Sequence, residues 1–282
     1  MRALVFGRTG QVATELARFD GVTCLGRDAA DLTDPAACAA RVDEAQADVI
    51  INAAAYTAVD NAEADEQTAH LINADAVGAI AKAAAQKGLP FLHISTDYVF
   101  DGSGAAPWAP AGTPGPMGAY GRTKLAGEQA VAAAGGTFAI LRTSWVFSAH
   151  GSNFVKTMLR LAETREQLTV VNDQIGGPTA AKDIAAALIQ MARGLLDNPA
   201  KSGIYHFSGA PDCSWADFAA EIFSQAQKPV EVIGIPTKDY PTPAARPANS
   251  RLDCSSLAAE FGINRPDWQA SLAEVLQELG DV

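Results

Sequence analysis

Apolar positions in this chain come in short unbroken runs, separated by longer stretches with helical spacing. The runs are RALVF at 2–6, VTCL at 22–25, DVIINAA at 48–54, PFLHIS at 90–95 and FAILRTSWVF at 138–147. Continuous apolar runs bounded by turn residues predict strands buried on both faces. Between the third and fourth runs, EQTAHLINADAVGAIAKAAAQKG (66–88) places Ala, Leu and Ile at helical spacing and ends on a glycine. That pattern predicts a helix with a glycine stop. Strands alternating with helices predict βαβ units, and hence an α/β fold of the Rossmann type, a doubly wound parallel sheet covered on both faces. After about residue 148 the rhythm loosens, and Gly- and Pro-rich loops appear at 172–179 and 236–249. We therefore expect a first domain over 1–148 and a smaller, interleaved C-terminal domain over 149–282, with part of 165–200 returning to the first sheet.

A chain of 282 residues, 48% hydrophobic and 19% charged, can bury a sizeable core. Its formal charge of −11 argues against a nucleic-acid partner, which needs a basic face. A phosphate-bearing small molecule is still allowed, because local arginines and helix N-termini can outweigh the global sign. Cys24, Cys38, Cys213 and Cys254 are scattered without C-x-x-C spacing, so small thiols in a reducing compartment are expected, with no disulfide framework and no metal ligation. MRALVFGRTG has no signal-peptide pattern and no apolar run reaches membrane-span length, so a cytoplasmic setting without a membrane partner is expected.

The first strand runs directly into Gly7-Arg8-Thr9-Gly10-Gln11-Val12-Ala13. Glycines at this spacing allow a tight turn and close backbone approach to a pyrophosphate facing a helix N-terminus. The first domain is thus expected to bind a dinucleotide through Gly7, Thr9, Gly10, Gln11 and Val12. A ribose-binding carboxylate is not evident after the second strand, where Gly26 and Arg27 stand. Arg27 could accept a 2′-phosphate or be a solvated surface arginine; both readings stay open. Asp31 and Leu32 could reach the adenine ring, and Asp34 reads as a helix N-terminal residue.

The fourth strand ends in HISTDYVFDG (93–102), which puts Thr96 at the carboxyl edge of the sheet, where ligands of open α/β folds bind. Downstream, AYGRTKLAGE carries Tyr120 and Lys124, four apart and so on one helix face. That spacing is weak alone. In the order glycine fingerprint, strand-four Thr, Tyr and Lys, it resembles the extended short-chain dehydrogenase/reductases. Within them, GRTGQV (7–12), NAAAYTAVDNAE (52–63), STDYVFDG (95–102), YGRTKLAGE (120–128), LRTSWVF (141–147), VNDQIGGPT (171–179) and RPANSRLD (246–253) are similar to the dTDP-4-dehydrorhamnose reductases, over nearly the whole chain.

The resemblance implies NADPH- or NADH-dependent reduction of the C4 ketone of dTDP-4-dehydro-L-rhamnose, with Thr96, Tyr120 and Lys124 catalytic and the C-terminal domain mainly substrate-binding. In that scheme Lys124 lowers the phenol's pKa and holds the nicotinamide ribose, and Thr96 donates to the carbonyl oxygen; for Thr96 a purely capping role is the alternative. It further implies that Ala54, Ala55 and Thr57 line the cofactor, that Asp97 and Trp145 meet the sugar, and that Arg246 binds the nucleotide diphosphate. Core packing for Trp145 and a long-range salt bridge for Arg246 are the competing readings. His93 and His206 read as packed or hydrogen-bonded core residues. The chain departs from the family pattern at Tyr56, where many members have His, and at Ala13, where Gly is commoner. The Asp-Glu pair of the 4,6-dehydratases is Asp97-Tyr98 here, which removes an acid/base residue that dehydration needs. Another sugar-nucleotide substrate, or a non-catalytic role like that of the methionine adenosyltransferase regulatory subunit, are the alternatives. A homodimer, and a Mg2+ ion bridging subunits as in some relatives, are left open.

Overall fold

The computed structural model describes residues 1–281. Five parallel strands, β1 (Ala3–Phe6), β2 (Val22–Leu25), β3 (Val49–Asn52), β4 (Phe91–Thr96) and β5 (Phe138–Thr143), form one sheet with a sixth strand, Gly203–His206. Their spatial order is β2, β1, β3, β4, β5 and Gly203–His206. Chain direction across the sheet therefore reverses between β1 and β3, and the crevice at their carboxyl ends is where such sheets bind ligands.

Alternate residues of each strand feed two cores. Val5, Ile51, Leu92 and Leu141 face α1 (Gln11–Leu16) and the long helix Ala181–Asp197, whereas Phe6, Ile50, Phe91 and Ile140 face α2 (Pro35–Glu44) and the helix Ala76–Gln86. Burying each such Ile, Leu or Phe contributes roughly 1.5–3 kcal/mol, which is why the strands read as continuous apolar runs. Asp34 caps α2, accepting from Ala37 N–H at 3.0 Å. A third core, built on Phe147, Val155, Phe218, Ile222, Trp268 and Leu272, holds the C-terminal portion together. The chain returns to the large sheet in Ala181–Asp197 and, beyond residue 200, in Gly203–His206.

Two elements differ from the pattern. The expected single helix over 66–88 is broken: helix Glu66–His70 passes into a π turn, Leu71–Asp75, before Ala76–Gln86 resumes. The cause is Asn73, fully buried in the π turn. Its amide accepts from Tyr56 N–H at 2.9 Å, and donates to Tyr56 O and Thr123 Oγ1 at 3.1 Å each. The run 138–147 also splits. Trp145 adopts φ 49°, so β5 ends at Thr143 and Val146–Phe147 leaves to pair with Thr179–Ala180.

Candidate active site

Three chain segments meet at the carboxyl edge of the sheet. The first is the loop after β1. Gly7 has φ +115°, and a Cβ there would lie 3.3 Å from the backbone C and O of Ala53, in the loop after β3. Only glycine fits that cradle. Thr9 and Gly10 are exposed beside it, and Val12 is buried beneath. Gln11 turns away, accepting from Ser148 Oγ at 2.9 Å and Asn153 Nδ2 at 3.0 Å, which ties the glycine loop to the 148–153 loop.

At the end of β2, Arg27 stands in solvent with 78% of its side chain exposed and pairs with Asp31 at 3.0 Å. The Thr33 N–H, followed by this guanidinium, holds the Asp31 carboxyl at about 2. Leu32 belongs to the core instead of an open surface. Sequence reasoning missed Arg8. Its guanidinium lies over Gly26 and pairs with Asp28 at 2.9 Å, so two arginines flank this strand end. The loop after β3 carries Ala54, Ala55 and Thr57. Ala54 N–H donates to Asn52 Oδ1 at 3.1 Å, and Thr57 is exposed.

The second segment is the end of β4. Thr96 is buried; its hydroxyl accepts from Tyr98 N–H at 3.2 Å and donates to Asp97 Oδ1 at 3.1 Å. The capping role is therefore present alongside the position expected of a substrate-facing hydroxyl. Asp97 is also buried, and its Oδ2 is left without a partner. Burial pushes this carboxyl up to about 6, against hydrogen bonds to Ser250 and Thr96.

The third segment is helix Ala119–Ala134, which carries Tyr120 and Lys124. Tyr120 packs edge-on against Tyr98, ring centroids 5.5 Å apart. Burial pushes its phenol up to about 12, while a hydrogen bond with Thr96 pulls the other way. Lys124 Nζ donates to Ile94 O at 2.7 Å and lies 3.1 Å from His93 Nε2. Burial pulls this amine down to about 8, opposed by Glu128. The motif predicts a lysine that acidifies the phenol. Here the Lys124 amino group is directed to His93 and Ile94 O, and burial of the phenol is what raises it.

On the opposite wall, Trp145 is half-buried and stacks on Trp215, centroids 3.7 Å apart, while a Cβ on Gly176 would lie 2.9 Å from its indole. A positive φ at a bulky residue is costly, and such strain gathers at functional sites. Arg246 forms a 2.7 Å ion pair with Asp60 and donates to Ala244 O at 3.0 Å. The salt-bridge reading of Arg246 thus describes this structure, in which the pair ties the 236–249 loop to the short helix Val59–Ala62. His93 and His206 are fully buried in their strands and hydrogen-bonded. Away from these groups, Glu15, His150 and Glu278 bring their ligand atoms within 4.8 Å of one another. Arg18 stands among them, 3.3 Å from Glu15 and ion-paired to Glu278, so a cation of the chain itself already neutralises the carboxylates.

The model of the "RmlD substrate binding domain" matches residues 1–280. The dTDP-4-dehydrorhamnose reductase of Sinorhizobium fredii is 46% identical, with 99% of this chain and 98% of that protein aligned. Among solved structures, a dTDP-4-dehydrorhamnose reductase of Clostridium acetobutylicum superposes with TM-score 0.92 at 36% identity, covering 99% of this chain and 100% of that one. The Bacillus anthracis dTDP-4-dehydrorhamnose reductase in complex with NADP gives TM-score 0.91 at 34% identity, covering 98% and 99%. A chain matched from end to end in this way, with Thr96, Tyr120 and Lys124 gathered at the sheet edge its motifs indicated, belongs to the dTDP-4-dehydrorhamnose reductase family.

Proposed function

We propose that the protein reduces the C4 ketone of dTDP-4-dehydro-L-rhamnose to dTDP-L-rhamnose, with NADPH or NADH as reductant, in the synthesis of a cell-surface polysaccharide precursor. The observation that carries this reading is the grouping of Thr96, Tyr120 and Lys124 beside the Gly7–Ala53 cradle, in a chain of this family. The cradle fits a dinucleotide's pyrophosphate, and a bound nicotinamide supplies the hydride for C4. The chain's own residues supply the rest. A phenol held near 12 is fully protonated at neutral pH, so Tyr120 keeps a proton for the oxygen that becomes an alkoxide. Lys124, on the same helix face, offers the positive charge that the resulting phenolate needs. Thr96 steadies the carbonyl oxygen once its hydroxyl turns from Asp97. Asp97 and Trp145 are assigned to the sugar. Arg246 is assigned to the diphosphate, for which it must leave Asp60.

The NADP complex of the Bacillus anthracis relative supports NADPH as a cofactor. Arg27→Ala should then weaken NADPH binding about tenfold while leaving NADH nearly unchanged, because a charge-assisted contact to the extra phosphate contributes about 1.5 kcal/mol. Fluorescence titration of the two cofactors measures this, and equal losses would make Arg27 a surface residue. Four free cysteines and a nucleotide-sugar substrate support a cytoplasmic setting; none of the described helices is long and apolar enough to cross a membrane. The test of the activity is oxidation of NADPH by the purified protein on addition of enzymatically generated dTDP-4-dehydro-L-rhamnose. Binding without oxidation would favour the regulatory reading.

A further inference from the structure

Lys124 is not held by backbone alone. Its Nζ lies 3.1 Å from His93 Nε2, and His93 Nδ1 lies 3.1 Å from Asn52 Nδ2. Asn52 in turn accepts the Ala54 N–H at 3.1 Å. Asn52, His93 and Lys124 are each almost completely buried, so no water competes for these contacts. We propose that His93 is a positioning residue for the reduction: it holds the Lys124 amino group and, through Asn52, ties that group to the cofactor loop at Ala54. The proposal rests on Lys124 being the catalytic lysine.

The hydrogen positions follow from satisfaction of each partner. The Ala54 N–H fixes Oδ1 as the acceptor of Asn52, so its NH2 faces His93 and donates to Nδ1. Neutral His93 then carries its proton on Nε2, pointing at Lys124. Burial, followed by the charge of Lys124, keeps His93 neutral, well below the ordinary imidazole range. An uncharged Lys124 satisfies both neighbours, accepting from His93 and donating to Ile94 O. An ammonium there must drive the imidazole proton to Nδ1 and turn the Asn52 amide, which frees the Ala54 N–H to point at a bound cofactor. The other groups around Lys124 are Tyr120 one turn before it and Glu128 one turn after, the latter neutralised by Arg142. The cofactor loop and the charge on the catalytic lysine are thereby linked through two side chains that touch neither substrate nor cofactor.

Two near-isosteric variants separate this from a packing role. The amide of Gln reaches the place of Nε2, and that of Asn the place of Nδ1. His93→Gln should keep kcat within about threefold of the parent, whereas His93→Asn should lower kcat about tenfold or more with a smaller change in KM. The alkaline limb of the pH–rate profile should also move upward in His93→Asn, since the N–H that favours the uncharged lysine is gone. Equal losses in the two variants, or none in either, would overturn the proposal. Unimpaired turnover in Lys124→Met would instead remove the catalytic lysine on which it rests, so the two failures are distinguishable. The 15N spectrum of histidine-labelled parent protein reads the tautomer without any substitution. A proton that passes from Nδ1 to Nε2 as Lys124 loses its charge supports the proposal, whereas a single tautomer throughout, or an imidazole that itself titrates near neutrality, contradicts it.

Discussion

Tyr120→Phe should lower turnover by about two orders of magnitude or more while leaving cofactor affinity nearly unchanged. The substitution removes one oxygen and leaves the ring that packs edge-on against Tyr98 at 5.5 Å. Fold and cradle should therefore survive, and the loss should appear in kcat. With burial raising the phenol to about 12, the parent protein carries this proton at neutral pH. Steady-state kinetics alongside NADPH titration make the measurement. Near-normal turnover in the variant would remove Tyr120 from the mechanism.

The second large effect is on stability. Glu128 and Arg142 form an ion pair with side-chain exposures of only 3% and 2%. Arg142 donates to Glu128 from Nε at 2.8 Å and Nη2 at 2.6 Å, and Ser95 Oγ adds a third bond at 2.5 Å. The guanidinium also reaches Pro110 O and stacks over Phe100, 5.0 Å from the ring centroid. Glu128→Ala leaves this guanidinium buried without a counter-charge and should destabilise the fold by about 3–5 kcal/mol. That is a large share of the roughly 5–15 kcal/mol that holds a domain folded. Because Ser95 precedes Thr96 and Glu128 follows Lys124 by one turn, activity should fall with stability. Urea unfolding followed by circular dichroism reads the loss directly. A change below about 1 kcal/mol would mean that water or another group reaches Arg142 once the carboxylate is gone.

Much of this could be read from the chain because it was local. The apolar runs marked five strands of the main sheet, and Gly7, Thr96, Tyr120 and Lys124 stood at the ends or faces of elements that periodicity had already placed. What escaped was long-range and polar. Asn73 is a helical residue by pattern; only contact with Tyr56, 17 positions away in sequence, makes it open a π turn. Trp145 sat inside an apolar run, and its turn out of the sheet depends on Trp215, Gly176 and Thr179. The Asn52–His93–Lys124 chain joins two adjacent strands to a helix and has no periodicity to betray it. Arg8 lay inside the glycine motif, yet its role depends on Asp28, beyond the next strand. The depth of Lys124 escaped for a related reason: spacing brings a lysine and a tyrosine to one face but does not report that the lysine is buried.

Reduction consumes one reduced cofactor per sugar, whereas a dehydratase or epimerase built on the same scaffold recovers its own. The most direct measurement follows absorbance of reduced nicotinamide against dTDP-L-rhamnose formed from dTDP-4-dehydro-L-rhamnose, with dTDP-glucose as a parallel substrate. One NAD(P)H should be lost per product molecule, and dTDP-glucose should yield no 4-keto-6-deoxy sugar. Sugar conversion without net loss of reduced cofactor would contradict the account, even if Thr96, Tyr120 and Lys124 all proved to line the pocket.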